Sequence, residues 1–250
     1  MAISRNQLVK ELEPGLNALF GLEYKQYENQ SAEIYTTESS DRAFEEEVML
    51  SGFAQARVKP EGSGVAFDNA QETFTARYTN ETIALAFAIT EEAIEDNLYD
   101  RLASRYTKAL ARSMASTKQV KGASPLNNGF GTFQSGDGVA LFSASHPTIA
   151  GTFSNTLATA ADLNETSLEQ SLIDIAALTD ERGLKIAAKG TKMIVPSALQ
   201  FVAERLMKSQ GRVSTADNDV NAIRSMGMIP QGYRVNNYLT DTDAFFIITD

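Results

Sequence analysis

Between Thr90 and Lys118 six large apolar residues, Ile94, Leu98, Leu102, Tyr106, Leu110 and Met114, recur at four-residue intervals. That spacing draws one stripe along an α-helix. Charge is sorted along the same segment. Glu91, Glu92, Glu95 and Asp96 crowd its start behind Thr90, an apt N-cap, while Arg105, Lys108, Arg112, Lys118 and Lys121 occupy later turns. This is the polarity a helix dipole favours. The pattern predicts a helix of about seven turns from 90 to 118 or so. Helix electrostatics accounts for the charge order without any ligand.

The segments before it are poorer in core. Leu8, Leu12, Leu16, Leu19 and Phe20 keep near-helical spacing through residues 4–27, but Pro14-Gly15 divides the run into two short helices. Helices of that length are marginal alone. Residues 28–42 are polar, with only Ile34 and Tyr35 to bury, so the first forty-odd residues read as an arm that must lie on something else. From Val48 to Ile89 strand character takes over: Phe74, Ala76 and Tyr78 alternate with Thr and Arg, and Ile83, Leu85, Phe87 and Ile89 alternate mainly with Ala. Lys59-Pro60-Glu61-Gly62-Ser63-Gly64 between them has turn chemistry and marks the tip of a long hairpin. Two readings fit these residues: an exposed loop packed on its own domain, or a hairpin reaching across a neighbouring subunit.

Residues 122–162 are rich in Gly, Ser, Asn and Thr, and read as irregular structure with one or two short strands. Thr166 and Glu169 form a capping-box signature ahead of Leu168, Leu172 and Ile175, with Gly183 as the stop, which predicts a helix over 166–182. Lys192–Val195 reads as a short buried strand. Pro196-Ser197 with Gln200 starts a further helix whose Leu199, Val202, Ala203 and Leu206 face inward. The tail reads as two strands, 233–239 and 244–249, joined by the acidic turn 240–243.

Composition narrows function by exclusion. At 250 residues, 43% hydrophobic and 22% charged, the chain is an ordinary folded protein with one large domain or two modest ones. Its net charge of −10 disfavours tight sequence-independent binding to nucleic acid or to an anionic membrane surface. The absence of cysteine removes disulfides, thiolate metal sites and a Cys nucleophile. No apolar core follows the polar Met1–Leu12 segment, so no secretory signal is expected, and the longest aliphatic run, Ile83–Ile89, is far too short for a membrane span. Synthesis and first folding are expected in a cytoplasm.

Candidate chemistry fails residue by residue. His146, the single histidine, offers no imidazole pair for a metal, and no G-x-S-x-G occurs, since Phe133 holds the first glycine position around Ser135. It is expected to be a loop histidine hydrogen-bonded near Pro147. Gly129, Gly131, Gly136 and Gly138 match neither a dinucleotide fingerprint nor a P-loop. The Asp217–Asn221 run starts like a calcium loop, but Ala222 stands at its glycine position and Met228 at its glutamate position. Asp241 and Asp243 read as a solvated turn. No catalytic residue, cofactor site or metal site is therefore expected.

Several motifs, in order, resemble the major head subunit (major capsid protein) of tailed bacteriophages and prophages. They are Ser40-Asp41-Arg42-Ala43-Phe44-Glu45-Glu46, the Lys59-Pro60-Glu61-Gly62 tip, Ile89-Thr90-Glu91-Glu92 with Glu95-Asp96-Asn97-Leu98-Tyr99, and Asp137–Ser143 ahead of His146-Pro147. Ile194-Val195-Pro196, Ala203-Glu204-Arg205 and Tyr238-Leu239-Thr240-Asp241 complete the set, so the likeness runs from about residue 30 to the end. The resemblance implies the α+β Hong Kong 97-type capsid fold. Its parts would be an N-terminal arm (1–47), an E-loop hairpin with flanking strands (48–89), a peripheral domain built on a long spine helix (90–145) and an axial domain (146–250). Family members usually continue past the Tyr-Leu-Thr-Asp segment with strands that return to the peripheral domain, and these are expected to be missing here. The implied function is an icosahedral shell of hexamers and pentamers enclosing double-stranded DNA, bound without sequence specificity. Portal, scaffolding or decoration proteins are implied as partners, with no membrane. The implied location is the virion, after assembly in the bacterial host cytoplasm. Arg57, Lys59 and Glu61 are the candidates for inter-subunit contact. The competing readings are an encapsulin-type nanocompartment shell, which would enclose a cargo enzyme, and a stand-alone hydrolase using His146.

Overall fold

A computed structural model describes residues 17–88, 99–212 and 219–250. The expected helix before Pro14, the N-cap at Thr90 with its acidic first turns, and Asp217 and Asn218 of the Asp217–Asn221 run lie outside the described residues. The chain divides into two units, one from Met1–Glu33 with Glu81–Gly122 and one from Ile34–Asn80 with Ala123–Asp250.

The first unit contains α1 (17–26), a 3₁₀ turn at Gln30–Glu33, and most of α2, Tyr99–Asn127. The helix runs about two turns past its expected end and continues through Pro125, which gives up one intrahelical N–H bond while Ala123 and Leu126 on either side of it are buried. Its buried face is displaced by one residue from the large apolar stripe. Ala103, Thr107, Ala111, Ala115, Gln119 and Ala123 line it, whereas Tyr106 is 51% exposed. Small side chains allow close approach. A Cβ on Gly122 would lie 2.6 Å from that of Ser31, and Gln119 holds the 3₁₀ turn by accepting from the Ser31 N–H at 3.0 Å and donating to Asn29 Oδ1 at 2.9 Å. Residues 81–88 form no strand, contrary to their alternation. Phe87 lies against Tyr106 instead, with ring centroids 5.9 Å apart.

In the second unit β1 (Phe44–Leu50) pairs antiparallel with β2 (Glu72–Thr79), from Phe44 opposite Thr79 to Leu50 opposite Glu72, with an irregularity between Val48 and Leu50. β1 thus starts four residues before the expected Val48. A short hairpin follows, β3 (His146–Thr148) with β4 (Gly151–Phe153).

Helix α3 (Glu165–Ala177) begins with a capping box two residues earlier than Thr166 and Glu169 suggest. Asn164 Oδ1 accepts the Ser167 N–H at 2.9 Å, and Ser167 Oγ accepts the Asn164 N–H at 3.0 Å. The helix also stops earlier, at Ala177. Gly183, with φ +84°, serves a turn in which Asp180 Oδ1 accepts the N–H groups of Arg182 and Leu184. Strand β5 (Gly190–Val195) leads through a 3₁₀ turn, Ser197–Leu199, into α4 (Gln200–Lys208). Helix α5 (Ala222–Met226) is capped by Asn221 and closed by Gly227 at φ +61°.

The tail strands do form, as β6 (Tyr233–Val235) and β7 (Phe246–Thr249), but they do not pair with each other. β5 lies between them, parallel to β6 and antiparallel to β7. Met193, Ile194 and Val195 are at most 1% exposed because both faces of this central strand are covered. Met193 and Val195 join Leu163, Leu168, Leu172, Ala203, Leu206, Ile223 and Ile229 in one core. Ile194 points the other way, to Leu126 and Phe246, with Phe142 packed alongside. The sheet is thus the floor of two cores.

Candidate assembly surface

The longest irregular segment of the second unit, residues 51–71, leaves the β1–β2 ribbon through a narrow neck. Buried Ser51 closes it: its N–H donates to the Gln71 carbonyl at 2.9 Å and its Oγ accepts the Gln71 N–H at 2.9 Å. Farther out, Asp68 Oδ2 accepts the Ala54 N–H at 2.7 Å. That bond and the Asn69 N–H hold the Asp68 carboxyl below its ordinary pKa. At the tip, Ser63 N–H donates to the Pro60 carbonyl at 3.3 Å and Gly62 takes φ +80°, a turn only glycine fits comfortably.

Between neck and tip the loop carries bare hydrocarbon. Val58 is 96% and Phe67 98% exposed, and Leu50, Phe53 and Val65 are also exposed. Arg57, Lys59 and Glu61 stand on the same stretch, exposed, and no hydrogen bond or ion pair joins them to another group among the described residues. Of the two readings left open by the sequence, a loop packed on its own domain does not describe residues 52–70, all of which are exposed. The apolar members did not stand out in the sequence, where the whole Val48–Ile89 stretch has strand character, and no face of this unit covers them.

The second feature is a buried polar cluster. His146 opens β3, is 4% exposed, and places Nδ1 2.6 Å from Asp137 Oδ2. Its ring stacks on Phe153 at 4.9 Å. Asp137 also accepts from the Ser135 hydroxyl and from the Val139 N–H at 3.0 Å. Burial pushes the Asp137 carboxyl up, but the bonds from Ser135, His146 and Val139 together outweigh it and hold the pKa below its ordinary value. The histidine's partner is thus an aspartate nine residues earlier, not the neighbourhood of Pro147. Chemically the cluster is a staple: the serine hydroxyl bonds the carboxylate instead of the imidazole, so Ser135, Asp137 and His146 do not form a serine–histidine relay. His146 Nε2 is buried with no hydrogen-bond partner among the described residues.

Among the described residues no group of three or more His, Asp or Glu side chains is arranged to hold a metal ion, and no helix is long and apolar enough to cross a membrane.

A mixed helix-and-strand protein whose long 51–71 loop displays exposed apolar side chains is of the kind that burial against another molecule would complete. The family model described as phage capsid protein matches residues 72–250, and the chain belongs to that family. It is a structural subunit of the shell of a phage head. Solved structures agree in fold. The chain is similar to the capsid of bacteriophage JBD30 decorated with minor capsid protein trimers, at 13% identity, covering 86% of this chain and 92% of that one with a TM-score of 0.63. It is similar to the JBD30 procapsid at 16% identity, covering 95% and 100%, with a TM-score of 0.62. A comparison with curated proteins gave no match.

Proposed function

We propose that the subunit assembles into hexamers and pentamers that close into an icosahedral head around double-stranded DNA, with the 51–71 loop lying on an adjacent copy. The observation that carries this reading is the nearly complete exposure of Val58 and Phe67 on a loop that its own unit leaves uncovered. Apolar groups displayed this way gain from burial in an interface, at about 25 cal/mol per Å². Arg57, Lys59 and Glu61 surround them as polar rim contacts, and the locking is noncovalent.

The finer plan is the Hong Kong 97 type, with arm 1–47, E-loop hairpin 48–89, peripheral domain 90–145 and axial domain 146–250. The order of elements supports it: a ribbon with a long loop, then the long helix α2, then the sheet centred on β5. The JBD30 capsid carries minor capsid protein trimers, and a decoration protein of that kind is a partner of this shell too. Portal and scaffolding proteins complete the partners, and assembly takes place in the host cytoplasm before the subunit resides in the virion. The net charge of −10 keeps packaged DNA from adhering to the wall, since like charges repel phosphate over a Debye length of about 10 Å.

Electron microscopy of the expressed protein, with nucleic-acid analysis of isolated particles, tests the whole reading. Closed shells containing DNA in particles from phage are the expected result. Monomers alone, in virions as well as recombinant material, would overturn it, and shells loaded with an enzyme would point to a nanocompartment.

A further inference from the structure

We propose that Arg182 is the positioning residue that aims the 51–71 loop for assembly, acting from within its own subunit at the loop's neck. The proposal rests on the reading that this loop docks on a neighbouring copy.

Arg182 reaches both limbs of the neck at once. Its Nε donates to the Gly52 carbonyl at 3.3 Å and its Nη2 to the Asn69 carbonyl at 2.6 Å. A guanidinium is a planar fork with fixed donor directions, so one group holding two backbone carbonyls fixes their separation and their tilt together. The fork is itself anchored. Arg182 N–H donates to Asp180 Oδ1 at 2.9 Å, the Asp180 N–H donates to the Leu184 carbonyl at 2.8 Å, and the Glu181 carbonyl takes the Ala150 N–H at 3.1 Å. The 179–185 turn is thereby tied to the β3–β4 hairpin. Gly52 faces this turn closely: Asp180 Oδ2 would lie 3.7 Å from a Cβ placed there. Asp68, beside the clamp, adds a negative charge near the guanidinium.

Beyond this neck the loop has no cover, so its direction is set where it is held. A small rotation at Gly52 and Asn69 carries Val58 and Phe67 through a much larger arc. A loop released from the clamp reaches its docking geometry in only a fraction of molecules, and apparent affinity falls by that fraction.

The chain lacks cysteine, so spin labels at Glu61→Cys and Thr166→Cys report loop direction cleanly in dilute, unassembled full-length subunit. Arg182→Gln is expected to broaden the label-to-label distance distribution and leave the subunit's melting temperature unchanged. It should also raise the subunit concentration at which shells form by about tenfold, the change expected if the released loop holds its docking direction in about one molecule in ten. Arg182→Lys, which can reach one carbonyl but not fork across two, should fall between. A lowered melting temperature in Arg182→Gln would make the residue a folding element and overturn the proposal. So would an unchanged distribution, or shell formation at the wild-type concentration. A Val58→Ser/Phe67→Ser control separates the two levels: if it assembles normally, the docking reading itself fails, and if it fails to assemble while Arg182→Gln succeeds, only the clamp is wrong.

Discussion

The buried Asp137–His146 pair shows what single residues do in this fold. With a carboxylate 2.6 Å from Nδ1, the imidazole donates from that nitrogen, and three separate donors converge on one aspartate. Asp137→Asn keeps the shape but removes the charge, and should lower subunit stability by about 1.5–3 kcal/mol, read from urea unfolding. The pH dependence has a definite sign. The folded pKa of Asp137 lies below the unfolded value of 3.8, so its contribution is full above that value and is lost as pH falls through the lowered one. The gap between wild type and Asp137→Asn should therefore narrow on acidification below 3.8 and close once the pH has passed below the lowered folded value, and a gap that stays constant would show that the charge is not its source. Gly129 gives a second test. A Cβ there would sit 2.6 Å from the Phe142 ring and 2.8 Å from the Pro125 carbonyl, whereas at Gly131 nothing lies within 4 Å. Gly129→Ala should cost about 1–3 kcal/mol by overpacking, and Gly131→Ala should be near neutral in the same thermal melt. His146 stood out in the sequence, but its partner did not, because a contact made by folding a glycine-rich loop onto a strand leaves no periodic trace. Arg182 was equally invisible, since its acceptors are backbone carbonyls more than a hundred residues away.

Elements followed the sequence where one surface decided them. β5 was legible as a buried strand because Met193, Ile194 and Val195 are apolar without interruption, and α4 because its inward residues, Ala203 and Leu206 among them, keep helical spacing. The failures share a cause. Residues 83–88 alternate like a strand but form none, and the stripe through Tyr106 and Leu110 is helical without being the buried face, since the alanines beside it allow closer packing. Pattern reports what a segment could pair with, and tertiary packing decides what it does pair with. The ribbon loop is the element whose removal distinguishes assembly from folding. Deleting residues 60–64 should leave a soluble subunit with an unchanged melting temperature, because every residue of that stretch is exposed and the neck bonds at Ser51, Ala54 and Arg182 lie outside it. Shells of the deletion variant should dissociate at lower denaturant than wild type, measured by light scattering. Misfolding of the deleted subunit would show that the loop belongs to its own core. A ladder of covalent oligomers in denaturing gels of mature shells would separately overturn noncovalent locking.

For the assembled molecule the question is which force at the loop dominates, the apolar side chains or the charges among them. Each subunit carries a net charge of −10, so bringing copies together concentrates like charge, and that repulsion weakens as salt shortens the Debye length from about 10 Å at 0.1 M to about 3 Å at 1 M. Apolar contacts through Val58 and Phe67 carry no charge to screen. If they carry the interface, added sodium chloride should lower the subunit concentration at which shells form, and shells once formed should survive it. Ion pairs through Arg57, Lys59 and Glu61 would behave oppositely, because exposed pairs contribute at most about 1 kcal/mol and lose that to screening. Light scattering across a salt series from about 0.05 to 0.5 M, repeated with Lys59→Ser, decides between them. Salt-promoted assembly that is indifferent to Lys59→Ser is the expected outcome. Salt-induced dissociation, abolished by that substitution, would transfer the interface to the charged tip and reduce the exposed valine and phenylalanine to bystanders.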